Sequence, residues 1–174
     1  MYSLNIKSNI LYLRDIGMDD LGHILKLFND IDSFKFATGI YEPVTLNEIK
    51  RFFLRNLFSQ KVFCSGIFSI GSGKIIGMLK GQLAYNYEDT AWINTMIIEP
   101  EVQRKGYGTE AVNLLIGYLK ENSKVKKLYL SVLEENYMGK HFWEKQNFSE
   151  IMRIDKNSAT GCKHRGISIM YRQI

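Results

Sequence analysis

Met96 to Ala111 holds the residues whose types and spacing point most directly to chemistry. An apolar run, Met96-Ile97-Ile98, leads into Glu99-Pro100-Glu101-Val102 and then Gln103-Arg104-Lys105-Gly106-Tyr107-Gly108-Thr109-Glu110-Ala111. It reads as a strand, a short polar loop and the opening of a helix. Gly106 and Gly108 carry no side chain, so a ligand can approach the backbone closely. The first amides of the helix have no acceptor within it. Together with the helix dipole they form a site for an anion. Arg104 and Lys105 add positive charge. The chemistry this suits is the holding of a phosphate group. Two glycines are equally compatible with a plain strand–helix turn. A P-loop requires Gly-Lys followed by Ser or Thr, and here the order is Lys105-Gly106-Tyr107. A dinucleotide fingerprint belongs near the start of a parallel unit, whereas this loop follows three antiparallel strands past mid-chain.

The elements that must position this loop follow from hydrophobic periodicity. Ile10 to Ile16 alternates apolar and polar residues and reads as a first strand. Leu21, Ile24, Leu25 and Phe28 recur at helical spacing, with Asp19 as the expected N-cap. Thr45 to Phe58 repeats the design, with Thr45 or Asn47 as cap and Glu48 in the first turn. Val62 to Ile70 and Lys74 to Leu83 are expected strands joined through Gly71-Ser72-Gly73. Tyr85 to Asp89 is an expected turn, and Thr90 to Ile98 a third strand. Gly108 to Asn122 is strongly amphipathic. Lys127 to Leu133 is a strand, and Asn136 to Gln146 a helix capped by Asn136. Ile151 to Asp155 and Ile167 to Arg172 close the chain as a strand pair, joined by a polar loop around Asn157 to Gly166. The expected order is β-α-α-β-β-β-α-β-α-β-β. It implies one α/β domain over residues 1–174, with a mixed, mostly antiparallel sheet and helices on both faces.

Composition narrows the classes. With 174 residues, one domain is the default. The formal charge of +5 and pI of about 9.1 suit an anionic ligand. Lys and Arg are interspersed with Asp and Glu, so no dense basic tract marks a nucleic-acid binder. Cys64 and Cys162 have no metal spacing, and they read as free thiols of a reducing cytoplasm. No apolar run approaches the roughly 20 residues of a membrane span. A cytoplasmic protein is expected, a monomer or homodimer without metal, membrane or nucleic-acid partner.

The loop closely resembles the signature of the GNAT superfamily of N-acetyltransferases: Gln or Arg, two residues, Gly, one residue, then Gly or Ala. Gln103-Arg104-Lys105-Gly106-Tyr107-Gly108 matches it in full. Leu13-Arg14 with Asp19-Asp20-Leu21 resembles the family's opening strand and helix. Asn136 with Phe142-Trp143-Glu144-Lys145-Gln146-Asn147-Phe148 resembles its late helix. The opening strand and the Gly-Tyr-Gly-Thr-Glu-Ala stretch look most like the branch of ribosomal-protein N-terminal and spermidine acetyltransferases. The resemblance implies acetyl-coenzyme A as co-substrate and a primary amine, on a protein N-terminus or a small molecule or polyamine, as acceptor. It implies that the backbone of Met96 and Ile98 holds the pantetheine arm, freed from the sheet by a bulge. Amides from Gln103 through Arg104, Lys105, Gly106, Tyr107 and Gly108 to Thr109 hold the diphosphate. Asn136 touches the pantetheine or orders the site near the sulfur. A backbone amide near Met96 serves the developing oxyanion.

Departures from the pattern touch the proton transfers. Trp143 stands where the family often has a Tyr acid, and an indole N–H is far too weak an acid. Tyr137 is a nearby hydroxyl that helix geometry points elsewhere. Asn147 replaces the family's Gly and tolerates a left-handed turn. Ala91 to Thr95 carries no carboxylate, which leaves Glu99, Glu134 and Glu135 as base candidates. His141 reads as a surface residue; His23 and His164 have no partner identifiable in sequence. Phe34, Phe36, Tyr41, Tyr85, Tyr87 and Trp92, with Glu42, Glu88 and Asp89, are candidates for an acceptor groove, each equally readable as ordinary packing. The alternative function is a non-catalytic acyl-coenzyme A binding or sensing module.

Overall fold

The computed structural model describes residues 2–84, 87, 89–155 and 166–174. Two short strands open the chain, β1 (Ile6–Lys7) and β2 (Leu11–Asp15). Three helices follow: α1 (Leu21–Asn29), α2 (Ile31–Thr38) and α3 (Leu46–Leu57). Then come β3 (Val62–Ser69), β4 (Ile75–Leu83), β5 (Thr90–Ile98), α4 (Tyr107–Asn122), β6 (Lys127–Leu133), α5 (Tyr137–Lys145), β7 (Ser149–Ile154) and β8 (Ile167–Gln173). Single 3-10 turns at Met18–Asp20 and Pro100–Val102 lead into α1 and out of β5.

The architecture is the expected mixed α/β one, with two additions, β1 and α2. β1 spans only two residues. α2 begins directly after α1, with Asp30 ending one helix and capping the next by accepting the Ser33 N–H. No Gly or Pro separates the two, so periodicity alone runs them together. Gly39 closes α2 in the left-handed conformation at φ 72°. Thr45 and Glu48 form the expected reciprocal cap of α3. Asp19 makes no cap. Asp20 precedes α1 instead, and its carboxylate is taken by Arg14 at 2.8 and 3.0 Å and by the Gly17 N–H at 2.8 Å. The candidates Tyr85, Glu88, Cys162 and His164, and most of the loop from Asn157, lie outside the described residues.

The eight strands form one sheet in the order β1-β2-β3-β4-β5-β6-β8-β7. Every neighbouring pair is antiparallel except β5 and β6. A parallel pair requires a crossover, and α4 supplies it. Two cores sandwich the sheet. Leu13, Phe63, Leu79, Leu115, Leu128 and Trp143 belong to the core on the α4 and α5 side. Ile24, Phe28, Phe34, Phe53, Met78 and Ile97 fill the other, under α1 to α3.

Two irregularities open the sheet. Lys80 is opposed to Thr95 but Gly81 to Ile93, so Asn94 is an extra residue bulged out of β5. Pairing of β5 with β6 then ends at Ile93 and Leu130, although β5 continues to Ile98 and β6 to Leu133. The two strands part like a V just past the bulge, while β6 remains paired to β8 as far as Leu133.

Candidate active site

The V is the site. Glu99 N–H donates to Ile76 O on β4 at 2.8 Å. Backbone groups alternate in direction along a strand, so the N–H and C=O of Met96 and Ile98 point the other way, into the gap. Gln103 fills part of it: its side-chain amide donates to Ile98 O at 2.8 Å. The Met96 backbone and the Ile98 N–H meet no strand there, because β6 has already diverged.

The loop from β5 to α4 folds back over the open end of the V. Glu99 O accepts the N–H groups of Val102 and Gln103. Arg104 and Gly106 then take left-handed conformations, at φ 60° and 88°. Gly106 is the N-cap of α4, and the first amide to return to the helix is that of Glu110, donating to Gly106 O at 3.0 Å. The N–H groups of Tyr107, Gly108 and Thr109 therefore have no intrahelical acceptor. They sit at the positive end of a 16-residue helix.

A cleft of about 560 Å³ runs along this arrangement. Its lining brings together Met96, Ile98, Gln103, Arg104, Gly106, Gly108, Thr109 and Asn136. Lys105 and Tyr107 share the turn but not the lining; Lys105 is exposed and Tyr107 packs against the α4-side core. Asn136 caps α5, accepting the Gly139 N–H at 2.9 Å. Thr109 is tied to the far end of α5 by Gln146, whose side-chain amide donates to its hydroxyl oxygen at 3.0 Å. The Thr109 O–H is left to donate to a ligand. The residues present fit a diphosphate followed by an extended amide-bearing arm. The helix mouth offers N–H groups to the first, and the unpaired edge of β5 offers ladder hydrogen bonds to the second.

The candidates for proton transfer are dispersed. Trp143 is 8 % exposed, packed edge-on against Phe142 and Phe148, and lines the cleft without offering an acid. Tyr137 is 76 % exposed and off the lining. Glu134 pairs with Arg153 at 2.9 Å. Glu99 pairs with His23, Nε2 to Oε1 at 2.6 Å, a partner 76 residues away that no local pattern reveals. Glu135 and His141 do not line the cleft. Of the candidates for an acceptor groove, Phe34 and Phe36 line the cleft, while Tyr41, Tyr87 and Glu42 do not. Trp92 stacks on Tyr129 at 5.3 Å, and Asp89 pairs with Lys127 at 2.8 Å. Ser33 and Ala37 of α2 and Ser131 of β6 also line it, and the sequence does not single them out. The Asp30 cap and Gly39 at either end of α2 are the signals that would have found the first two.

Among the described residues, no group of three or more His, Cys, Asp or Glu is placed to hold a metal ion. No helix among them is long and apolar enough to cross a membrane.

Residues 28–148 match the acetyltransferase (GNAT) family. Among solved structures, an acetyltransferase (GNAT family) from Bacillus anthracis superposes with a TM-score of 0.82 at 19 % identity, covering 98 % of each chain. The spermidine N-acetyltransferase from Vibrio cholerae, solved with CoA and spermine, gives 0.79 at 22 % identity over 94 % of this chain and 95 % of that one. An acetyltransferase from Thermus thermophilus gives 0.77 at 21 % identity, with both chains fully covered. No curated protein sequence matches this chain.

Proposed function

The chain belongs to the acetyltransferase (GNAT) family, and on that premise we propose that it transfers an acetyl group from acetyl-CoA to a primary amine, on a protein N-terminus or a small molecule, by direct attack. The observation that carries this reading is the parting of β5 and β6 beside a helix mouth with unsatisfied amides. It supplies, in one cleft, separate holds for a diphosphate and for an extended arm.

The chemistry supplied by bound acetyl-CoA is a thioester that an amine nitrogen attacks, giving an amide and a free thiol. The protein's part is placement. Amides of Tyr107, Gly108 and Thr109, the Thr109 hydroxyl and the Arg104 guanidinium hold the diphosphate. The open edge at Met96 and Ile98 fixes the arm, and the Met96 N–H faces the carbonyl oxygen as negative charge develops on it. Asn136 orders the start of α5 over the same stretch. Phe34, Phe36 and Ser33 of α2 wall the acceptor side and raise the effective concentration of the amine. With Trp143 in place of an acid, the thiolate leaves unassisted or through water, which is feasible for a good leaving group.

Trp143 also favours the second reading, a module that binds acetyl-CoA without turnover. One pair of measurements separates the two. Acetyl-CoA is expected to raise the melting temperature while ATP and NAD do not, by mass action on the native state. Thiol release with an amine panel then marks an enzyme. Stabilisation without thiol release for any amine would mark the sensor, and no stabilisation by acetyl-CoA would sink both.

A further inference from the structure

The α4 mouth, fit for a diphosphate, stands at the open end of the V. From it the free edge of β5 leads back through Ile98 and Met96 to Ile93, the last residue paired with β6, opposite Leu130. The first residue of each strand beyond that pair is Asn94 on β5 and Ser131 on β6. They flank the vertex, both are exposed, and both line the cleft. Leu130 and Val132 point into the core on the α4 and α5 side, so Ser131 between them projects to the opposite face. Ile93 points into that same core, and Asn94 after it likewise projects away from it. Thr95 pairs with Lys80, whose ammonium lies 4.2 Å from the centre of the Phe52 ring on α3, so the face in question is the one under α1 to α3. Asn94 and Thr95 are adjacent yet both line the cleft, because the bulge takes up the extra residue. α2 packs against both strands here and brings Phe34 and Phe36 to the lining. Among the described residues, neither the Asn94 nor the Ser131 side chain has a hydrogen-bond partner.

We propose that Asn94 and Ser131 are the seat of the acceptor nitrogen, the Asn94 side-chain oxygen accepting one of its N–H groups and the Ser131 hydroxyl oxygen the other. The inference rests on the acetyltransferase reading above and deepens it. On that reading the thioester belongs at the vertex, with its carbonyl oxygen at the Met96 N–H. A neutral primary amine has two N–H groups and one lone pair. Acceptors on the two arms of the V occupy both N–H groups and leave the lone pair to face the carbonyl carbon. Two residues of strand, at most about 7 Å, separate Asn94 from Met96. The Asn94 side chain and an attack distance of about 3–3.5 Å together span that gap. A secondary amine has a single N–H and leaves one of the two acceptors against an alkyl group, its hydrogen bond unmade. The seat therefore selects primary amines, and Phe34 and Phe36 beside it suit an apolar carbon skeleton.

The test uses the purified chain and thiol release from saturating acetyl-CoA. Phenylethylamine, L-leucinamide and spermidine form the panel, and each is also titrated against the CoA-bound protein by melting shift. The best acceptor is then set against its counterpart methylated on the acetylated nitrogen. The primary amine is expected to exceed the N-methyl one by about tenfold or more in kcat/KM, as befits a lost hydrogen bond whose acceptor stays unpaired. Ser131→Ala and Asn94→Leu remove one acceptor each. Either is expected to lower kcat/KM for the primary amine about fivefold or more and to shrink the preference to about threefold or less. Ser131→Thr keeps the hydroxyl and is expected to keep the preference, which separates a hydrogen bond from a change of room. Asn94 does not have positive φ, so leucine meets no backbone strain there. All three variants are expected to retain the melting shift with acetyl-CoA, because neither residue belongs to the cofactor holds. Equal kcat/KM for the primary and N-methyl amines, or a preference that survives either Ser131→Ala or Asn94→Leu, would overturn the proposal and leave the transferase reading in place. If no amine is turned over but the CoA-bound protein binds one that both substitutions weaken, the seat stands and the transferase reading falls. A panel neither bound nor turned over would overturn both.

Discussion

Arg104 and Gly106 both hold positive φ in the turn that opens α4, for different reasons. A Cβ added at Gly106 would meet no protein atom within 4 Å, so backbone conformation rather than packing calls for glycine there. Gly106→Ala is therefore expected to cost about 1–2 kcal/mol in urea unfolding, the penalty of a left-handed L-residue, with Gly106→Asn costing less. Arg104 bears a similar strain, and a strained residue over a ligand site is a mark of function. In Arg104→Gly, relief of strain and the looser unfolded chain offset each other to within about 1 kcal/mol. Its acetyl-CoA affinity should nevertheless fall several-fold, as titration by melting shift would show; unchanged affinity would remove Arg104 from the diphosphate site. Gly108 has another reason. A Cβ there would come to 3.1 Å from the Met96 terminal methyl and 3.2 Å from the Phe142 ring. Both glycines are legible in the sequence, but it gives them one reason, ligand approach, where the structure gives two. Asn147 was read correctly, since it takes φ 59° where the family has glycine.

At the scale of elements, what could be read was what lies within one turn of chain. The Thr45–Glu48 cap, the Asn136 cap and the bounds of β5 and β6 are of that kind. Asp19 and Asp20 were not separable, because the choice depends on Arg14, across the bend from β2. Arg14 in turn lies 4.0 Å over the Phe68 ring on β3. Burial pushes the Asp20 pKa up, but the Arg14 guanidinium and the Gly17 N–H outweigh it and hold the carboxyl below its usual range. A depressed carboxylate stabilises the fold above its unfolded-state pKa and loses that contribution as pH falls through the folded one. Acid unfolding should accordingly steepen below about pH 4, the unfolded carboxylate range. Asp20→Asn should lower stability at neutral pH and flatten the acid limb. An acid limb as steep as that of the wild type would show that other carboxylates govern it.

Across the whole molecule, the site depends on how β4 holds β5. Gly81 stands at the bulge, and a Cβ on it would run into the Phe63 ring and the Trp92 carbonyl oxygen. The first can turn aside; the second is the backbone of the strand that carries the site. Gly81→Ala should cost about 1–3 kcal/mol, as overpacking does. It should also weaken acetyl-CoA binding beyond what Gly106→Ala does, despite its place outside the cleft lining. Loss of stability with full affinity would show that the bulge is not what opens the V. The His23–Glu99 pair works at the same scale, tying α1 to the start of the loop between β5 and α4. Partly exposed to water as it is, its contribution to stability is about 1 kcal/mol at most.

The sequence by itself determined what neighbouring residues decide: which stretches are helix or strand apart from β1 and α2, the caps of α3 and α5, and that a strand meets a helix through Gln103 to Gly108. Those choices rest on side-chain volume, backbone freedom and hydrogen bonds within a few residues. Only the tertiary structure decided that β5 and β6 part after Ile93 and Leu130, that α2 packs against both, and that Lys80 stands beside Thr95. It also paired Glu99 with His23 and Glu134 with Arg153. Such contacts join residues far apart in the chain, and they exist only once the sheet order has brought their strands and helices side by side.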